Sequence, residues 1–273
     1  EVDDIITKEK GEGLAAVARR IREKAVRYDA AMLLTNSTRS TLELWLAGIP
    51  RLVGYRGSLR AMLLHQIVRE PESSKPPEHH VRRYLRLAMR CGARTDEPSF
   101  FATGVPVTDG GVTRVGICAG AEYGPAKRWP LERFAETANG ISNARPDIEW
   151  VLFGAPGEKE MGEKLSAMLA ARHTNLVGKT TLTSLIASLR QCRALLTNDT
   201  GTMHLAAALG VPTVSIFGST EPILTGPLGG RHIVIRHHVP CSPCFKRECP
   251  FSHYDCMTKI QPARVAQAVQ TLV

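Results

Sequence analysis

Residues 198–222, Asn-Asp-Thr-Gly-Thr-Met-His-Leu-Ala-Ala-Ala-Leu-Gly-Val-Pro-Thr-Val-Ser-Ile-Phe-Gly-Ser-Thr-Glu-Pro, constrain the fold more than any other stretch. They read as the end of one strand, a tight turn, a helix of small residues and a second strand. The apolar run 194–196 leads into Asp199-Thr200-Gly201, and the first-turn amides of the helix that follows have no partners within it, so they attract phosphate. Ala206, Ala207 and Ala208 keep this helix slim enough to lie close on a sheet. Gly210-Val211-Pro212 stops it, and residues 213–217 form the next buried strand. His204 falls about one helical turn inside, toward a ligand held at the helix start. The same residues also suit a plain helix cap and a packed histidine, because Asp and Thr are preferred caps in any helix. The exit of the second strand, Phe217-Gly218-Ser219-Thr220-Glu221-Pro222, supplies glycine, two hydroxyls and a carboxylate, which suits a crevice at strand carboxyl ends.

With 273 residues, 43% of them hydrophobic, the chain is long enough for one large or two modest cores. Its net charge of +9 favours an anionic partner: nucleic acid, an acidic membrane surface or a phosphorylated substrate. Aromatic residues are only 5% and do not interleave with arginines, so nucleic acid is the weakest of the three. No apolar run approaches the roughly 18 residues of a membrane span. No signal-peptide pattern opens the chain, and a cytoplasmic setting is expected. It begins Glu1-Val2-Asp3-Asp4 without an initiator methionine, which suggests derivation from a longer polypeptide.

Of seven cysteines, Cys91, Cys118 and Cys192 stand singly in apolar surroundings and read as small core residues. Cys241, Cys244, Cys249 and Cys256 instead form a CxxC-x4-C-x6-C cluster with His253 inside it. Such spacing suits a structural zinc or iron-sulfur centre, two disulfides, or a loop of reduced, partly buried thiols. A cytoplasmic setting disfavours disulfides.

Elsewhere strand and helix alternate. Strands are expected at 30–35 and 51–55, with helices at 39–47, 59–68 and 80–91, the last presenting Val81, Tyr84, Leu85 and Ala88 on one face. Residues 70–79 read as a surface connection, and the irregular stretch 92–111 as an interdomain hinge. The pattern then restarts: strand 113–118, helix 131–143, strand 148–153, helix 158–171, short strand 175–177, helix 182–191, the motif described above, and helix 262–272. This is parallel α/β architecture with its ligand loops on one sheet edge. Three segments follow: residues 1–100, a hinge at 101–111, and a nucleotide-binding domain at 112–273. The loop 119–130, Ala-Gly-Ala-Glu-Tyr-Gly-Pro-Ala-Lys-Arg-Trp-Pro, permits close backbone approach at its glycines, offers Lys127 as a cation for a diphosphate, and starts a helix at Trp129-Pro130. Taken alone, Lys127 and Arg128 also fit as solvated loop charges. No Gly-x-Gly-x-x-Gly follows a predicted strand, which disfavours a nicotinamide dehydrogenase.

The segments 120–130 and 198–222 resemble the bacterial lipopolysaccharide heptosyltransferases of glycosyltransferase family 9, most of all the branch that adds the second inner-core heptose. Leu34-Thr35-Asn36-Ser37, residues 47–57 and the cysteine segment 241–250 fit the same family, so the resemblance spans nearly the whole chain. It implies a GT-B enzyme: two Rossmann-like parallel-sheet domains, the N-terminal one incomplete, with the donor in the C-terminal one. It also implies no cofactor, and no metal for transfer. The reaction would move L-glycero-D-manno-heptose from ADP-heptose to heptose I of the lipopolysaccharide inner core, with inversion. The acceptor would be a phosphorylated heptosyl-Kdo2-lipid A at the cytoplasmic face of the inner membrane, where the enzyme would sit peripherally. Carried over position by position, Lys127 and Asp199 belong to the catalytic site. Gly120, Ala121, Glu122, Thr200, Gly201 and His204 join them around the donor, and Thr180 falls where the family contacts adenine.

Amides, Lys127 and a protonated His204 suit the charge that builds on departing ADP. Arg51, Arg56, Arg60 and Arg69, near the acceptor-side loops, are candidates for steering the acceptor. One element of the family pattern has no match: an N-terminal Gly-Asp turn whose aspartate serves as base. Asp3, Asp4 and Asp29 stand in the wrong context, so the expectation for this chain alone is donor binding with little or no transfer. Two alternatives stand beside it, a GT-B glycosyltransferase of another donor or acceptor and a non-catalytic nucleotide-sugar-binding domain.

Overall fold

The computed structural model describes residues 3–9, 11–24, 26–57, 59–70, 77–94 and 112–273. The chain divides into two compact units, Glu1–Pro98 and Ser99–Val273. The expected hinge at 101–111 lies outside the described residues, as does most of the connection at 70–79.

In the first unit, α1 (Leu14–Arg22) buries Val17, Ala18 and Ile21 and carries its arginines between them. Strand β1 (Ala31–Leu33) follows, then α2 (Thr38–Leu46), capped by Ser37, whose hydroxyl accepts the Ser40 amide hydrogen. Strands β2 (Leu52–Tyr55) and β3 (Gln66–Val68) complete a three-stranded parallel sheet in the order β1-β2-β3, and α3 (His80–Arg90) packs against it. Central β2 is buried along its whole length, as a strand covered on both faces must be.

The helix expected at 59–68 is not there. A single 3₁₀ turn, Leu59–Met62, is followed by β3, whose Gln66, Ile67 and Val68 pair with Val53, Gly54 and Tyr55. Backbone partners on β2 and the β-branched Ile67-Val68 pair outweigh the helical spacing, and Leu59 and Met62 are left exposed. In α3 the buried centre is Leu87, while Tyr84 faces outward. Cys91, expected in the core, is the exposed C-cap of α3.

The second unit holds β4 (Thr113–Cys118), α4 (Leu131–Ala144), β5 (Ile148–Leu152), α5 (Lys159–Met168), β6 (His173–Asn175), α6 (Leu182–Arg190), β7 (Ala194–Asn198), α7 (Gly201–Ala208), β8 (Thr213–Phe217), α8 (Pro222–Thr225), β9 (His232–Arg236), α9 (Asp255–Thr258) and α10 (Pro262–Leu272). Its six strands are parallel in the order β6-β5-β4-β7-β8-β9. The chain therefore winds outward from β4 in one direction and from β7 in the other. The order reverses between these two neighbours, and the loops leaving their carboxyl ends diverge to open a crevice. One main core, with Trp129, Phe134 and Trp150 almost wholly buried, includes residues of α4 and α10. A second cluster includes Leu189 of α6 and Ala206 of α7.

Two expectations shift. Strand β6 comes two residues earlier than read, because His173 pairs with Trp150 and Val177 is buried in the core instead. Strand β9 escaped the sequence reading altogether. Its Ile233-Val234-Ile235 run is the signal for it, and it pairs residue by residue with β8.

Candidate active site

The crevice between β4 and β7 is built around Asn198, the fully buried last residue of β7. Its side-chain amide donates to the Ala119 carbonyl at 2.7 Å, and its carbonyl oxygen accepts the Trp129 backbone N–H at 3.1 Å. One buried side chain thus holds both ends of the loop between β4 and α4, and a buried amide must be satisfied in this way. Trp129 is locked in turn by its indole N–H, which donates to the Ile260 carbonyl, and by edge-to-face packing on Phe134.

Between that loop and the start of α7 lies a cavity of about 380 Å³. Gly120, Ala121, Glu122, Lys127, Asp199, Thr200, Gly201 and His204 all line it. At its base the Lys127 ammonium reaches Asp199 Oδ2 at 2.5 Å, and the same oxygen accepts the Thr220 hydroxyl at 2.7 Å. Both charged side chains are largely buried, at 13% and 5% exposure. The carboxylate therefore aims the ammonium and leaves it donors to spare, since a lysine carries three. Thr200 is indeed a helix cap, accepting the Met203 N–H at 3.4 Å, and it lines the cavity as well. The two readings of this residue are compatible.

Thr180 does not join them. It is half-buried, precedes the N-cap Thr181 of α6, and is not among the residues that line the cavity.

The structure adds residues that sequence reasoning passed over. Glu158 lines the cavity with its carboxylate pinned by the Ala155 N–H at 2.8 Å. That carboxylate lies directly over Gly120, so a Cβ there would push the Glu158 side chain aside. Thr220 belongs to a loop already recognised as polar, but nothing local announced its bond to Asp199. Cys118 also lines the cavity. Burial pushes its thiol pKa up, against the opposing pull of nearby threonine hydroxyls, so it stays a protonated, inert group.

Other candidates lie elsewhere. Asp4 is an exposed partner of Lys24 at 2.6 Å, and neither it, Asp3 nor Asp29 lines the cavity. Arg60, offered as an acceptor-steering charge, is fully buried and donates to the Thr35 carbonyl, whereas Arg51, Arg56 and Arg69 are exposed. The cysteine segment carries free thiols: Cys256 is buried and Cys241, Cys244 and Cys249 are half-buried. Among the described residues, no three or more His, Cys, Asp or Glu side chains are grouped to hold a metal ion. Burial acts to raise the Cys249 pKa, but the backbone N–H groups of Tyr254, Phe251, His253 and Ser252 outweigh it and hold the thiol below its usual value. Cys256 lies against Gly218, its thiol pushed up to about 11 by burial and the neighbouring sulfurs.

The sequence model for glycosyltransferase family 9 (heptosyltransferase) matches residues 14–255. The chain belongs to glycosyltransferase family 9. Lipopolysaccharide heptosyltransferase 2 of Escherichia coli (strain K12) is 32% identical to it, over 100% of this chain and 84% of that protein. The structure of E. coli ADP-heptose lps heptosyltransferase II superposes with a TM-score of 0.75 at 30% identity, covering 95% of this chain and 80% of the other. A family 9 glycosyl transferase from Veillonella parvula DSM 2008 shares the fold, with a TM-score of 0.78 at 24% identity over 98% of this chain and 81% of the other. This family 9 chain is thus a glycosyltransferase of the GT-B fold, and its cavity sits at the switch point of the second sheet. Among the described residues no helix is long and apolar enough to cross a membrane.

Proposed function

We propose that this heptosyltransferase moves L-glycero-D-manno-heptose from ADP-heptose to heptose I of the lipopolysaccharide inner core, with inversion at the anomeric carbon. In this reading the donor's diphosphate lies between the Lys127 loop and the start of α7. The observation that carries it is the Lys127–Asp199–Thr220 cluster, a buried cation aimed by a carboxylate into a cavity that a helix N-terminus also faces. An acceptor hydroxyl attacks the anomeric carbon and loses its proton to a general base, the bond from that carbon to the β-phosphate oxygen breaks, and negative charge gathers on ADP. Lys127 and the first amides of α7 meet that charge where it develops, the most productive place for fixed dipoles. We assign the leaving-group charge to these groups and propose transfer without a metal. Glu158, an anchored carboxylate over Gly120, suits recognition of donor hydroxyls.

The acceptor in this reading is an anionic, phosphorylated lipid at the inner membrane's cytoplasmic face, which fits the net charge of +9. The test has two arms. Calorimetric titration with ADP, UDP and GDP should rank ADP first; heptose transfer to heptosyl-Kdo2-lipid A in anionic vesicles should be weak for this chain alone, since no residue matches the family's Gly-Asp base, and what transfer there is should persist in chelator and weaken as salt rises. A preference for UDP or GDP, or transfer indifferent to salt, would overturn the donor or the surface assignment respectively.

A further inference from the structure

The cysteine-bearing segment is unused by the reaction just described, yet it is built into the wall of the donor site. The Arg247 carbonyl accepts the Ala126 N–H at 3.0 Å, immediately before Lys127. The Tyr123 hydroxyl donates to the Phe245 carbonyl at 2.8 Å, and the Phe245 N–H donates to the Ser219 carbonyl at 2.8 Å, next to Thr220. Gly124, at φ +146°, lets the two backbones meet, for a Cβ there would lie 2.5 Å from the Arg247 carbonyl oxygen. The Tyr123 ring lines the cavity and is shared by two cations, with the Lys127 ammonium 4.8 Å and the Arg247 guanidinium 5.4 Å from its centre. The cysteine segment therefore grips the Lys127 loop through Tyr123 and Ala126, and the Thr220 loop through Ser219. Lys127 and Thr220 are the two groups that share Asp199 Oδ2.

We propose that this segment is a strap that sets the diphosphate site, and that Tyr123 and Arg247 are positioning residues acting through Lys127. Arg247 fixes the ring, the ring orients the ammonium, and the Tyr123 hydroxyl ties the loop to the strap. This inference rests on the donor reading above.

The test compares ADP with adenosine as calorimetric ligands for the wild type and for Lys127→Ala, Tyr123→Phe, Tyr123→Leu, Arg247→Ala and Arg247→Lys. Tyr123→Phe cuts the tether but keeps the ring, Tyr123→Leu removes both, and Arg247→Lys restores the cation. Tyr123→Phe and Arg247→Ala are each expected to weaken ADP roughly 3- to 30-fold while adenosine affinity stays at the wild-type value. Tyr123→Leu should weaken ADP further, and Arg247→Lys should recover part of the loss. Unaltered adenosine binding shows in the same experiment that each variant is folded. Wild-type ADP affinity insensitive to Lys127→Ala would bring down the donor reading and the strap with it. A loss confined to Lys127→Ala, with the Tyr123 and Arg247 variants keeping the wild-type ratio of ADP to adenosine affinity, would overturn the strap alone.

Discussion

Asn198 shows how much of the site depends on one residue. Its two hydrogen bonds lie in the core, so Asn198→Ala leaves the Ala119 carbonyl and the Trp129 N–H buried without partners. Each such group costs about 1–3 kcal/mol, and a total loss of about 2–6 kcal/mol is expected in denaturant unfolding. The same change frees both ends of the loop that carries Lys127, so ADP affinity should fall with it. A variant as stable as the wild type would show that the loop holds its shape without this side chain. Asn198 also marks the limit of residue-level reading. Lys127 and Asp199 could be singled out because their two loops leave one sheet edge, although each alone also suits a solvated charge or a helix cap. Asn198, Thr220 and Glu158 owe their importance to partners 69 or 79, 21 and 38 positions away, and no local pattern encodes those distances. For the cysteines, spacing alone left several outcomes open, and the structure holds them as free thiols in a segment whose residues 245–247 contact the Lys127 loop.

At the scale of elements, the central strands and α7 were legible because a buried parallel strand and a slim helix both leave strong composition signals. The edges were not. Strands β3 and β9 exist because a neighbouring strand offers backbone partners, a tertiary effect that at β3 overrides helical spacing. The edge strand β9 also carries a pH-dependent contact. His232 Nδ1 accepts the Thr213 N–H at 3.3 Å while Nε2 donates to the Leu228 carbonyl at 3.0 Å, so the neutral ring fits and a second proton would face a donor. Burial, opposed by the Leu228 bond, lowers its pKa below the ordinary 6.5. Above that value both folded and unfolded rings are neutral and the contribution is complete. As pH falls below it, the unfolded chain takes up a proton that the fold resists, and stability declines until the folded pKa is passed. Between about pH 7.5 and 5.5 the wild type should therefore lose more stability in urea than His232→Gln. An equal loss in both would remove His232 from the account.

At the scale of the whole molecule, two units each built on a parallel sheet follow from two runs of strand-helix alternation, and this much was visible before any coordinates. What alternation cannot give is strand order. The crevice exists because strand order in the second sheet reverses between β4 and β7, which brings residues 119–130 beside residues 199–204. The net charge of +9 acts over longer distances than these contacts and, in the proposed reading, bears on the approach to an anionic surface rather than on the geometry of the cavity. The central claim is that a pyrophosphate occupies the space above the Lys127–Asp199 pair. A crystal structure of the chain with ADP tests it most directly. The account predicts phosphate oxygens within hydrogen-bond reach of both Lys127 Nζ and the first amides of α7. ADP bound with its phosphates away from either group would contradict it.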